Sequence, residues 1–310
     1  AAGGLGVGVA AHDPELDRRG AIKLLRSDVW RDAPDEGKRR LQREAQAMAR
    51  LNHPNVVTVY ELGVRGDDLF IVMEHVTGAD LGAWLRAAPR APAAILAMFA
   101  AAGRGLLAAH RAGVVHRDFK PENVLVDDDG RVRVIDFGLA CGVTAAPHAG
   151  DFTATPQAGA ALAATIDGAG TPHYMAPEQH AGEPADARAD QYAFCVALLE
   201  ALSGRYPFDA EPGPAAIAAK RLGAVRGGSL RGVSDMVAAA CRRGLAPDPA
   251  ERWPSMAELL AQLEQPAARR GHDARGAAPD VPAWRPSRRA PWWRERPRAT
   301  GRRAAMAVRR

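Results

Sequence analysis

Cysteine is scarce in this chain: three in 310 residues, Cys141, Cys195 and Cys241, widely scattered and odd in number. Neither a disulfide framework nor a C-x-x-C metal pair can be drawn from them, which favours a reducing cytoplasm. Lysine is scarce beside arginine, four against thirty-seven, a bias we read as the mark of GC-rich coding. Aromatic residues make up only 5%, yet apolar residues reach 47%, enough for a sizeable core. Long apolar runs are missing too. Residues 93–102 are too few to cross a bilayer, and residues 192–202 are interrupted by Glu200. The chain does not open on a charged segment followed by an apolar one, as a secretory leader would. These absences predict a cytoplasmic protein. Were a span to lie beyond residue 310, this part would face the cytoplasm.

What is present is concentrated in one stretch. His116-Arg117-Asp118-Phe119-Lys120-Pro121-Glu122-Asn123 is followed, after a short gap, by Asp136-Phe137-Gly138. The spacing supplies an acid, a lysine, an amide and a second acid, the set that phosphoryl transfer from a nucleotide requires. That chemistry needs the attacking hydroxyl held in line and the phosphate charge neutralised. Asp118 can accept the hydroxyl proton, and Lys120 can offset charge on the moving group. Asn123 and Asp136 offer the hard oxygen ligands that magnesium prefers.

The pattern H-R-D-x-x-x-x-N then D-F-G resembles that of the eukaryotic-type (Hanks-type) serine/threonine protein kinases found in bacteria. The resemblance runs over residues 1–266, and Lys120-Pro121-Glu122-Asn123 is similar to the serine/threonine branch rather than the tyrosine branch. It implies an α+β, bilobal kinase fold: a small β-rich lobe over residues 1–76, its first strand missing, and a larger helical lobe over 77–266. Gly3, Gly4 and Gly6 fit the second half of G-x-G-x-x-G, where glycine lets backbone N–H groups approach phosphates. Ala21-Ile22-Lys23 is similar to the family's V-A-I-K strand. The resemblance then implies that Lys23 holds the α- and β-phosphates of ATP and pairs with Glu44.

Leu41, Ala45, Met48 and Leu51 recur at helical spacing and mark an inward stripe beside which Glu44 lies. An inward carboxylate needs a cation. Lys23 is one candidate; a surface pair with Arg40 is the other. Residues 70–76 read as a buried strand entering a polar turn. By resemblance that turn is the hinge, where backbone groups of Glu74 and Val76 contact adenine between Ala21 and Leu125, and Met73 guards a deeper pocket.

Residues 170–178 resemble the end of a kinase activation segment. Thr171 would contact Asp118 and Lys120 and position the hydroxyl substrate. Glu178 would pair with Arg252. Asp190 opens an apolar helix that stops at Gly204, as helix punctuation demands, and in the family it braces the catalytic loop. Residues 139–169 are rich in Ala, Gly and Thr and offer Thr144, Thr153, Thr155 and Thr165 as acceptors. Arg117 marks the subclass switched by a phosphate there, and Thr165 is the first choice by its distance from Thr171. Threonines that merely solubilise the segment are the alternative.

Some positions depart from the family pattern. The first glycine of the phosphate loop is Ala1, and Gly8 and Gly20 stand where the family carries valine. Loss of a valine-sized contact removes roughly 1.5–3 kcal/mol of apolar packing, so weaker ATP affinity is expected. Two hairpins are predicted, residues 56–63 with 69–76, and 123–126 with 131–135 across the acidic turn 127–130; residues 114–115 read as a third short strand beside the second hairpin. Residues 267–310 carry thirteen arginines against Asp273, Asp280 and Glu295, a local net of +10 in a chain of net +5. This tail reads as disordered, and either contacts an anionic surface or serves as a solvated linker.

The functional expectation is ATP-dependent phosphorylation of protein serine and threonine, with Mg²⁺ (or Mn²⁺) and with autophosphorylation first. Protein substrates are then the partners, and no specific nucleic acid is expected. A pseudokinase scaffold and a nucleic-acid binder acting through the tail are the alternatives.

Overall fold

The structure is a computed structural model that describes residues 6–14, 16–25, 45–65, 68–137, 172–208, 214–225 and 234–264. Gly3, Gly4, Glu44, Thr165, Thr171 and the tail lie outside the described residues.

Four strands build the small lobe. Strands β1 (Gly6–Asp13) and β2 (Arg18–Leu25) form an antiparallel hairpin whose register sets Gly8 opposite Lys23. Asp13 Oδ1 accepts from Leu16 N at 3.2 Å and closes the turn. Strands β3 (Val59–Arg65) and β4 (Asp68–Glu74) form a second hairpin, and the sheet order is β1-β2-β4-β3. Leu69 and Ile71 alternate inward from β4 and meet Ala45 beneath the sheet. A second sheet, order β5-β6-β7, joins Gly78–Asp80, Val124–Asp127 and Val132–Val134.

Helices make up the large lobe: α1 (Leu81–Ala87), α2 (Pro92–Arg111), α3 (Pro177–His180), α4 (Ala187–Ser203), α5 (Pro214–Arg221), α6 (Asp235–Gly244) and α7 (Met256–Leu263). Their ends follow capping chemistry. Asp80, Ser234 and Ser255 accept from the first-turn N–H groups of α1, α6 and α7. Gly204 ends α4 at φ 69°, a left-handed value that costs glycine nothing. Gly105 lets α2 meet the chain at Asn55: a Cβ there would lie 2.4 Å from the Asn55 carbonyl oxygen.

Several expectations need correction. Residues 114–115 form no strand; the third strand of the small sheet is Gly78–Asp80. The first predicted hairpin starts later, because Val56 instead bridges to Val134 in the large lobe. Helix α4 is capped by Asp186, whose side chain accepts from Arg188 N at 2.7 Å, and Asp190 sits one turn inside. The β1–β2 pairing was not anticipated as a hairpin at all, since its glycines obscure the alternation of a strand. Finally, the apolar run expected to be too short belongs to the 20-residue helix α2, long and apolar enough by composition to cross a membrane. Its apolarity has a local cause: Ile95, Phe99, Ala102, Leu106 and Ala109 pack into the core of the large lobe.

Candidate active site

The stretch that carries the sequence motif runs between α2 and β6, in a conformation with little freedom. Arg117 adopts a left-handed φ of 64° and Asp136 one of 63°, both costly for a side-chain-bearing residue. Surrounding groups enforce the first. Asp190, wholly buried on α4, accepts from His116 N and Arg117 N, each at 2.7 Å. His110 Nε2 lies 2.7 Å from the same carboxylate. Burial pushes the Asp190 carboxyl up, but the His110 hydrogen bond and charge hold it below the usual carboxylate range. Gln179 closes the other side: its Nε2 donates to Arg117 O at 2.8 Å, and its Oε1 accepts from Ala176 N. The His116 ring contacts Ile135 O at 2.9 Å and lies 4.7 Å from Phe137, tying the two halves of the motif together.

On this frame the functional groups converge. Lys120 Nζ lies 2.9 Å from Asp118 Oδ2. Asn123 Nδ2 donates to Asp118 O at 2.7 Å and approaches Asp118 Oδ2 at 3.2 Å. Ile135 N donates to Asn123 O at 2.9 Å, which sets Asp136 beside Asn123. Across the cleft, Lys23 Nζ on β2 reaches Asp136 Oδ1 at 2.9 Å. An amide oxygen and a carboxylate are hard donors, so Asn123 and Asp136 suit a hard divalent cation.

The register of β2 on β4 places Ala21 against Met73 and Gly20 against Glu74. Met73, Ile71, Val59, Ala45 and Phe137 line a small pocket that reaches Asp136. Leu125 lies on β6, opposite Asp80 and Arg133, and Val76 follows β4 in the turn that leads to β5. Glu74 N donates to Thr58 O at 2.8 Å. The Glu74 side chain does something the sequence reading missed: Oε1 pairs with Arg133 Nε at 3.0 Å, and Arg133 Nη1 reaches Asp127 at 2.7 Å. This ladder ties the last residue of β4 to the β6–β7 hairpin.

Below the cleft, Arg252 and Glu178 form the expected pair, bidentate at 2.7 and 2.8 Å and almost fully buried. Lys220 was overlooked. It is wholly buried on α5, and its Nζ donates to the carbonyls of Pro172, His173 and Met175 at 2.9, 2.8 and 2.8 Å. A signal was available: in a chain so poor in lysine, a lysine that persists marks a place where arginine will not serve. Glu44, the expected partner of Lys23, is not described; the described partner is Asp136.

Comparison with known proteins agrees with this geometry. A model of the protein kinase domain family matches residues 2–262. The serine/threonine-protein kinase PrkC of Bacillus subtilis is 35% identical over 84% of this chain and 38% of its own length. The serine/threonine-protein kinase PknL of Mycobacterium tuberculosis is 37% identical over 85% of this chain and 63% of its own. The chain thus spans less than two thirds of the length of these curated relatives. Among solved structures, the kinase domain of Mycobacterium tuberculosis PknI is similar, with a TM-score of 0.62 at 28% identity, over 85% of this chain and 92% of that one.

Proposed function

This chain belongs to the protein kinase domain family, and on that premise we propose that it transfers the γ-phosphoryl group of ATP to serine and threonine hydroxyls of proteins. The observation that carries the reading is the convergence at the cleft: Lys23 on Asp136 from above, and Lys120 and Asn123 on Asp118 from below.

In this reading the substrate hydroxyl gives its proton to the Asp118 carboxylate as its oxygen bonds to the γ-phosphorus. The bond to the β,γ-bridging oxygen breaks and ADP leaves with that oxygen. Lys120, beside Asp118, offsets charge on the moving phosphoryl group. Lys23 holds the α- and β-phosphates, and Gly3, Gly4 and Gly6 bring backbone N–H groups to them. Glu74 and Val76 meet adenine through their backbones, between Ala21 and Leu125. Asn123 and Asp136 would hold Mg²⁺ (or Mn²⁺), which supplies charge neutralisation on the phosphates. Thr171 positions the acceptor, Glu44 is the further partner of Lys23, and Thr165 is the autophosphorylation site, its phosphate directed to Arg117. We place the domain in the cytoplasm, with the basic tail free to meet an anionic surface.

Incubation with ATP and either Mg²⁺ or Mn²⁺, followed by intact-mass analysis, tests the reading. The parent should gain phosphate, whereas Asp118→Asn and Lys23→Ala should not. A well-folded parent that gains none would support the scaffold alternative instead.

A further inference from the structure

Helix α5 packs on the large lobe through Ala216 and Ala219, and one side chain adds a polar tie. Its flanks at 209–213 and 226–233 lie outside the described residues; within them it packs on α3, and Leu222, just past its end, is 81% exposed. Lys220 nonetheless reaches inward and is wholly buried. A protonated lysine has three N–H donors and no acceptor. Here three carbonyl oxygens, from Pro172, His173 and Met175, gather at 2.8–2.9 Å around that one nitrogen. The match is in number; His180 Nε2 lies farther off, at 3.5 Å. Arginine, with five donors in a flat fork, cannot sit at the apex of such a tripod, which accounts for lysine in a chain that otherwise uses arginine.

What the tripod grips matters more. The turn Pro172–Met175 follows Thr171 directly. Tyr174 and Met175 line, with Arg117, Asp118 and Gln179, a small pocket beside the proposed base. The turn is held from its other side by Glu200, which accepts from Tyr174 Oη at 2.9 Å and contacts His173 Nε2 at 3.0 Å, and by Tyr206, which donates to His173 O. Those contacts fix side chains and one carbonyl. Lys220 fixes the path of the backbone.

We propose that Lys220 is a positioning residue for the protein acceptor: by gathering these three carbonyls it sets the turn beside Asp118 on which the acceptor chain lies, without touching ATP. This deepens the kinase reading and rests on it. The described contacts of Lys220 are with this turn and with His180, and none is with Lys23 or Asp136, so acceptor use and nucleotide use should separate.

The experiment compares the parent with Lys220→Met, which keeps the length and removes the donors, using dephosphorylated casein as acceptor. The expected result is a tenfold or greater rise in KM for casein, with ATP affinity and the slow hydrolysis of ATP by water within twofold of the parent. A parallel fall in acceptor and nucleotide parameters would overturn the proposal in favour of a structural role. Unchanged casein kinetics would overturn it outright. Should Lys220→Met not fold, Lys220→Gln, which keeps two donors, is read by the same split; if neither folds, the residue is structural and the proposal fails. A folded parent that phosphorylates neither itself nor casein overturns the kinase reading and the proposal with it, whereas autophosphorylation alongside a normal casein KM in Lys220→Met overturns only the proposal.

Discussion

Replacing Asp190 by asparagine tests whether the catalytic loop is shaped from below. The carboxylate accepts from three donors: Arg117 N on one oxygen, His116 N and His110 on the other. Asparagine offers one oxygen. Its cheaper orientation keeps the two histidine contacts and turns an NH₂ group against Arg117 N. That N–H then lacks an acceptor, at about 1–3 kcal/mol, and the two retained bonds drop from a charged to a neutral acceptor, about 1 kcal/mol each. Stability should therefore fall by roughly 3–5 kcal/mol. Activity should fall for a separate reason. Arg117 stands at φ 64°, a conformation that persists only when held. With its N–H released, Arg117 loses the tie that acts directly on its backbone nitrogen, while Gln179 still holds its carbonyl. Relaxation there displaces Asp118, the next residue, and a displacement of about 1 Å is worth about 100-fold in kcat. Urea unfolding and initial rates on the same preparation measure both. A loss of stability with kcat within twofold would refute the argument that Asp190 holds the catalytic geometry. No loss of stability would refute the hydrogen-bond account itself.

Two further outcomes are expected. Arg133→Met breaks the ladder from Glu74 to Asp127 and leaves two carboxylates without their shared cation; stability should fall by about 1–3 kcal/mol, and the Kd for an ATP analogue should rise severalfold by calorimetry, because Glu74 begins the proposed hinge. An unchanged Kd would show that the ladder does not set the adenine site. His180 sits partly buried beside Lys220, and burial first, then the Lys220 charge, hold its imidazole down at about 4, against 6.5 when free. Between those values the unfolded chain binds more protons, so stability falls as pH drops from 6.5 toward 4, by roughly 2 kcal/mol once solvent screening is allowed for. His180→Gln should flatten the urea midpoint against pH; an identical slope would count against the assignment.

The parts of the fold legible in the sequence were those with a local cause. The H-R-D and D-F-G motifs, the Asp127–Gly130 turn and the Gly204 stop each depend on a few neighbouring residues. The Glu178–Arg252 pair was legible through family resemblance rather than spacing. What escaped was set at long range. Helix α2 reads as a short apolar run because alanine and glycine dilute its period, and its true length is decided by packing against α7, α4 and β7. Asp190 looks like a cap by position, but Asp186 takes that role and frees Asp190 for the catalytic loop. The Glu74–Arg133 and Lys220 contacts join segments 59 and about 47 residues apart, separations at which no pattern within one element can speak.

The described residues of the two lobes are unequal in how much they bury. Among the described residues, the interior of the small lobe is Ala45, Leu69 and Ile71, with Val59, Leu62 and Met73 against it. A second cluster takes in Met48 and Val56 and runs through the large lobe to Leu263. A sheet with few buried apolar contacts lies at the low end of local unfolding free energies, and the described lining of this one is three buried residues. A nucleotide wedged between Ala21 and Leu125 would then serve the sheet as missing filling, and stabilise it by mass action. On that proposal the supply of ATP would act as a folding factor for the small lobe.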